Sequence, residues 1–208
     1  MSSSLASEFP LFPLQLAVLP TEIVPLHIFE ERYKTMIDDC LARDSEFGIV
    51  WLSDDGLRDI GCACRIDRIL EKLEDGRINL LAHGTRPFRV VERQRHLAYP
   101  AGVIEFVTDA LEESDSEQVE AARAAYSDLV RRATDRSPEV DELRAMDAYA
   151  MAATVDFGLD AKQGLLDLRS ENARLRFVTR LFRAASKRLD FVDRAQARAK
   201  SNGKVRFS

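Results

Sequence analysis

Between Phe9 and Tyr33 the chain reads FPLFPLQLAVLPTEIVPLHIFEERY, a mostly apolar run that holds four of its seven prolines. A proline cannot donate a ladder hydrogen bond, so strands carrying Pro13 and Pro25 must lie on a sheet edge or pair irregularly. The run alternates all the same. Leu14, Leu16 and Val18 are separated by Gln15 and Ala17, and after a bend at Pro20-Thr21-Glu22 the segment Val24-Pro25-Leu26-His27-Ile28 alternates again. Two strands are predicted here, not a proline-rich tail. The period then lengthens: Phe29, Tyr33, Met36, Ile37, Cys40 and Leu41 form one apolar stripe of a helix. Glu30 and Glu31 stand near its N-terminal end, where the helix dipole favours acids.

Strand patterns resume at 46–52 and again from Ile60, where Ile60, Cys62, Cys64 and Ile66 share a face. Glu74-Asp75-Gly76-Arg77 predicts a hairpin with a type I′ turn. A return strand follows, expected to break at Gly84 and Pro87, and residues 102–107 close the β-rich part. Six or so mostly antiparallel strands and one helix predict a small closed or nearly closed barrel. From Glu105 to Glu120 there are seven acids and no base, which marks a boundary.

Beyond it everything reads as helix. Asp115 and Gln118 predict a capping box for a helix carrying Val119, Ala122, Tyr126, Leu129 and Ala133. Ser137-Pro138 predicts the start of a second helix running to Gly158. Asp160 with Gln163 suggests another capping box, and Ser170 the cap of a last long helix bearing Leu175, Val178, Leu181, Phe182, Ala185 and Leu189. The expected class is α+β, with a β-barrel subdomain over 1–112 and a helical subdomain over 113–208 that ends in a basic tail, Arg194 to Arg206.

Composition narrows the partners. A net charge of −5 supplies no general attraction to nucleic acid or anionic lipid. No apolar run approaches the roughly 20 residues needed to span a bilayer, and MSSSLASEF lacks the pattern of a signal peptide. Three cysteines are too few and too odd in number for a disulfide framework. A reduced, cytoplasmic, soluble protein is expected.

No catalytic constellation stands out. Cys62 and Cys64 place two thiols on one strand face, but zinc usually takes four ligands and no second pair accompanies them, so buried structural thiols are expected. His27, His83 and His96 are scattered singly and read as hydrogen-bonded packing residues. Ser201-Asn202-Gly203-Lys204 matches S-x-x-K formally, without the partner motifs of serine–lysine acyl-transfer enzymes. There is no G-x-S-x-G, H-E-x-x-H or phosphate loop. No cofactor or metal is expected.

The opening stretch, through Leu41, resembles the start of the Lon protease N-terminal (substrate-binding) domain. Pro10, Leu11, Phe12, Pro13 and Leu14 match a PLFPL strand. Pro25, Leu26, Ile28, Phe29 and Glu30 match a second strand with a PLxIFE ending, and Arg32, Tyr33 and Met36 match the helix after it. Gly61, Ile66, Asp75, Gly76, Arg77, Gly84, Phe88 and Arg89 carry a G-x-x-A-x-I strand, a DGR hairpin and a glycine-to-RF strand. Lys162, Gln163, Leu165, Leu166, Arg174 and Leu175 carry a K-Q-x-L-L turn before an arginine–leucine helix. Pro87 departs from the family, which commonly has Arg before the Phe.

The resemblance covers about Phe9 to Leu189. It implies a PUA-like β pseudo-barrel with a helical bundle appended, free-standing and without the family's ATPase and serine–lysine protease domains. The implied function is non-catalytic binding of unfolded or partly unfolded polypeptides, as substrate recognition or as an adaptor to a separate protease or ATPase. Glu31, Arg32 and Thr35, on the polar side of the first helix, are candidate peptide contacts; the blander reading is a solvated face. Two competing functions are an RNA-binding PUA-like protein, for which only the basic tail argues, and an unrecognised hydrolase, for which no clustered nucleophile and base argue.

Overall fold

The structure is a computed structural model that describes the backbone of residues 5–202, with side chains through Val192 and at Arg194. Seven strands come first: β1 (Leu5–Leu14), β2 (Ile23–Ile28), β3 (Phe47–Ser53), β4 (Gly56–Leu57), β5 (Ile60–Lys72), β6 (Ile78–Gln94) and β7 (Ala101–Phe106). Helix α1 (Glu31–Arg43) separates β2 from β3. Then follow α2 (Ser116–Thr134), α3 (Val140–Ala145), α4 (Ala148–Ala153), α5 (Leu159–Asp167) and α6 (Glu171–Asn202). No described helix is long and apolar enough to cross a membrane.

The chain forms two compact units. One comprises the residues through Leu111 together with Ala152–Ser170; the other comprises Glu112–Met151 and Glu171 onward. The sequence suggested a single division near residue 112. Residues 152–170 instead return to the β-rich unit, and the family's K-Q turn is the reason. Lys162 pairs with Glu22, and Gln163 Nε2 donates to the Ile60 carbonyl at 3.2 Å. Gln163 is thus committed to β5 and to Asp167 (3.0 Å), so the expected capping box with Asp160 does not form.

The β-rich unit is a ring. Strands run in the order β1-β7-β6-β5-β3, and β3 closes onto β1 in a parallel pairing of Leu11–Leu14 with Gly48–Trp51. Every other pairing is antiparallel. Leu11, Val50, Ala63, Phe88, Val90 and Ile104 fill the interior, with Phe9 set edge-on to Phe88 at 5.4 Å between centroids. Strands β2 and β4 lie outside the ring, on β6 and β3.

Several local expectations change. Residues 15–19 are not a strand; β1 ends at Leu14, and Ala17, Val18 and Leu19 are buried in a loop. Pro13 sits where β1 pairs only β3, because its pairing with β7 ends at Pro10. Pro25 lies on β2, whose one strand partner among the described residues is β6. Both prolines therefore occupy the irregular or edge positions that their missing amide requires.

Strand β6 does not break at Gly84 or Pro87. It runs unbroken through both, and Thr85 is absorbed as a bulge, since Cys64 pairs with Gly84 while Ala63 pairs with Arg86. The hairpin forms, but Gly76 alone has positive φ (79°). Gly76 N donates to Leu73 O (2.9 Å) and Leu73 N to Arg77 O (2.8 Å), the pattern of a three-residue loop with glycine at the bulge, not of a type I′ turn. On α1, Tyr33, Met36, Ile37 and Cys40 are buried as the stripe predicts. Phe29 and Leu41 are exposed, Phe29 because the helix starts only at Glu31.

In the second unit α2 and α6 run side by side in the same direction. Asp115 N donates to Asn172 Oδ1 (2.9 Å) at one end, and Arg132 pairs with Asp190 at the other. Tyr126 and Phe182 meet between them at 5.4 Å. Asp115 caps α2 through the amides of Glu117 and Gln118. Its own amide is taken by Asn172, so the capping box is one-sided. The single helix expected from Ser137 to Gly158 is two short ones. Met146 is extended (φ −81°, ψ 131°), and Asp147 restarts the helix by accepting from Ala150 N at 2.7 Å. Gly158 precedes α5 and terminates nothing. The basic stretch expected as a tail continues α6 to Asn202; residues 203–206, and with them the end of the S-x-x-K match, lie outside the described residues.

Candidate functional site

Strand β2 presents two different faces. Val24, Leu26 and Ile28 are buried, each contributing roughly 1.5–3 kcal/mol. A slip of one residue would expose all three, so this register is firmly held. Ile23, Pro25 and His27 point outward on the opposite face, and Phe29 continues their line. Ile23 and Phe29 are 61% and 60% exposed.

A polar row ties this face across three strands. His27 Nδ1 lies 2.6 Å from Asn79 Oδ1, and Asn79 Nδ2 donates to Glu71 Oε2 at 3.1 Å. Beside the row Leu70, displaced by a register shift between Ile69 and Glu71, is 52% exposed and shares a shallow cleft with Pro25 and His27. The His27 ring stacks on Phe29 at 6.0 Å. Among the described residues β2 pairs with β6 alone, so its second edge has no strand partner. The surface combines an unpaired strand edge with three large exposed apolar side chains.

The three residues singled out on α1 are not brought together. Glu31 accepts from Lys34 Nζ at 2.8 Å, and Thr35 Oγ1 donates to the Glu31 carbonyl at 3.1 Å. Both border a depression beside the β5–β6 hairpin. Arg32 faces a different cleft, pairs with Glu30 at 2.7 Å, and lies 4.6 Å from the centre of the Tyr33 ring. The apolar residues of β2 escaped the sequence reading as a site because alternation alone does not say that the outward phase is apolar too; Ile23 and Phe29 were the available signal.

The remaining candidates are structural in their surroundings. Cys40, Cys62 and Cys64 are free thiols and buried. Burial first, then the Cys64 neighbour, pushes the Cys62 thiol well above its ordinary range. His96 contacts Glu8 at 2.9 Å on the surface. No three His, Cys, Asp or Glu side chains gather as metal ligands among the described residues.

A closed five-strand ring with an open-edged strand laid outside it defines a β-barrel domain of α+β class. The chain belongs to the family of the ATP-dependent protease La (LON) substrate-binding domain, whose model matches residues 8–184. It is 27% identical over 191 residues to Lon protease 2 of Myxococcus xanthus, covering 83% of this chain and 23% of that one. It is likewise 27% identical over 191 residues to the Lon protease of Anaeromyxobacter dehalogenans, covering 83% and 22%. The chain thus spans about a quarter of the length of these curated relatives.

Among solved structures it resembles a Lon N-terminal domain protein from Xanthomonas campestris, with a TM-score of 0.62 and 25% identity over 81% of this chain and 94% of that one. It shares its fold with the N-terminal domain of the Mycobacterium avium complex Lon protease, at a TM-score of 0.58 and 19% identity over 84% and 97% of the two chains.

Proposed function

We propose that this protein binds extended polypeptide segments at the open edge and outer face of β2, without cleaving them, and presents them to a separate protease or ATPase. One observation carries the reading: an unpaired strand edge on β2 with Ile23 and Phe29 exposed beside it, and with Leu70 exposed two strands further across the sheet on β5. An added strand would gain main-chain hydrogen bonds along β2 while alternate side chains settle on the apolar face. Edge pairing is indifferent to sequence, and apolar surface rewards the residues that an unfolded chain exposes. Membership of a substrate-binding family supports the same reading. Glu31 and Thr35 would contribute at most from the flank, being engaged by neighbours on α1, and Arg32 faces a different cleft.

The test is binding of a permanently unfolded polypeptide, such as reduced and carboxymethylated lactalbumin, against its folded form. The unfolded chain should bind and the folded one should not. Equal binding of both, or binding of neither, rejects the proposal.

A further inference from the structure

Where β6 passes into β7, residues 95–100 fold over one end of the barrel and leave a cleft of about 320 Å³. Its apolar lining includes Leu11, Leu57, Leu97, Tyr99, Pro100 and Ala101. Leu11, Tyr99 and Ala101 are buried and make a firm floor. The Tyr99 hydroxyl donates to Asp39 Oδ2 at 2.8 Å, which anchors this loop to α1. The charged lining is of one sign: Arg32, Arg93 and Arg95, with no acid among the lining residues.

Those arginines are available. Arg32 meets Glu30, and Arg93 meets Asp59 at 3.8 Å, but all four side chains are 41–72% exposed, so both pairs are weakly held. Arg95 is exposed and has no ion-pair partner among the described residues. Arg95 without an ion-pair partner and two weakly paired guanidinium groups surround an apolar floor, a locally basic lining in a chain of net charge −5. Guanidinium favours carboxylates, which it can hold with two parallel hydrogen bonds.

We propose that this cleft is a second polypeptide-binding site, specific for segments in which a bulky apolar side chain is flanked by aspartate or glutamate. The apolar side chain occupies the floor, and the flanking carboxylates reach the arginines. The inference shares with the proposed function only the premise that polypeptides are bound, and it lies on different residues from the β2 face.

The probe is a terminally blocked, fluorescein-labelled hexapeptide, Asp-Asp-Phe-Leu-Asp-Asp, followed by fluorescence anisotropy. Two controls replace its acids by lysine or its apolar pair by serine. The acidic apolar peptide should bind, both controls should not, and affinity should fall several-fold as salt is raised from 50 to 300 mM. The Arg93→Gln/Arg95→Gln variant should weaken binding at least tenfold. Because Arg93 also donates to Leu57 O (3.3 Å), the exposed single change Arg95→Gln is measured beside it and should weaken binding at least threefold.

Backbone amide shifts of Ala98 and Ala101 should move on titration. The Ile23→Asp/Phe29→Asp variant should leave hexapeptide affinity within twofold while losing unfolded lactalbumin, so each proposal fails separately. No hexapeptide binding, unchanged affinity in the arginine variants, equal binding of the lysine peptide, or displacement of the hexapeptide by oligouridylate would each overturn it.

Discussion

A Cβ placed on Gly84 falls 2.1 Å from the Leu19 carbonyl oxygen. The loop after β1 is strapped onto β6 at this point: Thr21 N donates to Gly84 O and Gly84 N to Glu22 O, both at 2.8 Å. The obstruction is backbone, so no rotamer change relieves it. Gly84→Ala should destabilise the protein by about 3 kcal/mol, the upper range for overpacking. A urea unfolding midpoint within error of the unaltered protein would contradict this.

The Lys162–Glu22 pair is the second tie of that loop. Their side chains are only 11% and 12% exposed, and Glu22 also accepts from Leu19 N at 3.0 Å. Removing one partner strands a buried charge, at a cost of about 3–5 kcal/mol. Lys162→Met should therefore cost more alone than when combined with Glu22→Gln. A thermodynamic cycle in denaturant checks the coupling, and strict additivity would show that the charges act independently.

Burial, and after it the hydrogen bond to Asp39, push the Tyr99 phenol up to about 12 from its ordinary 10.0. The folded chain then holds a proton that the unfolded chain gives up between those values. Stability from this group is whole below pH 10 and is lost as pH rises through about 12. Burial also raises the Tyr33 phenol, so absorbance at 295 nm should show late tyrosine ionisation whose amplitude falls, without vanishing, in Tyr99→Phe.

Exposed positions can be altered without loss of fold, so the β2 face is separable from stability. Ile23→Asp/Phe29→Asp should change stability by no more than about 0.5 kcal/mol per site and reduce binding of unfolded lactalbumin at least tenfold. Glu31→Ala/Thr35→Ala should reduce it less than twofold. Reversed magnitudes would move the contact surface from β2 to α1.

The thiols report on opening. Cys62 and Cys64 are fully buried and Cys40 nearly so, and burial raises the Cys62 and Cys40 thiols above their ordinary range. All three should react with an aromatic disulfide reagent only as fast as the fold opens. Immediate labelling in native buffer at pH 8 would show a mobile barrel wall if it falls on Cys62 or Cys64, and a loosely seated α1 if it falls on Cys40.

What the sequence disclosed follows from the range of each interaction. The α1 stripe, the β5–β6 hairpin and the Asp115 cap depend on residues close in sequence, and each is present. The extent of β1 was misread because Leu16 and Val18 alternate as strand residues do. Their neighbours Ala17 to Leu19 are buried instead in a loop held by Gly84, a partner more than sixty residues away.

The parallel β1–β3 closure and the return of Lys162 to Glu22 are likewise long-range and leave no periodic trace. The K-Q turn was visible as a motif, but only its contacts explain why lysine and glutamine stand there. The arginines around the Tyr99 loop come from α1, β6 and the β6–β7 connection, and no local pattern unites them.

The discontinuity of the β-rich unit has a consequence during synthesis. The last ring strand is complete at Phe106, whereas the K-Q turn emerges roughly 60 residues later, about 3–12 s at ordinary translation rates. For those seconds the nascent barrel can close its ring but must carry Glu22 with no lysine opposite it. Its final latch is therefore set by the ribosome's progress.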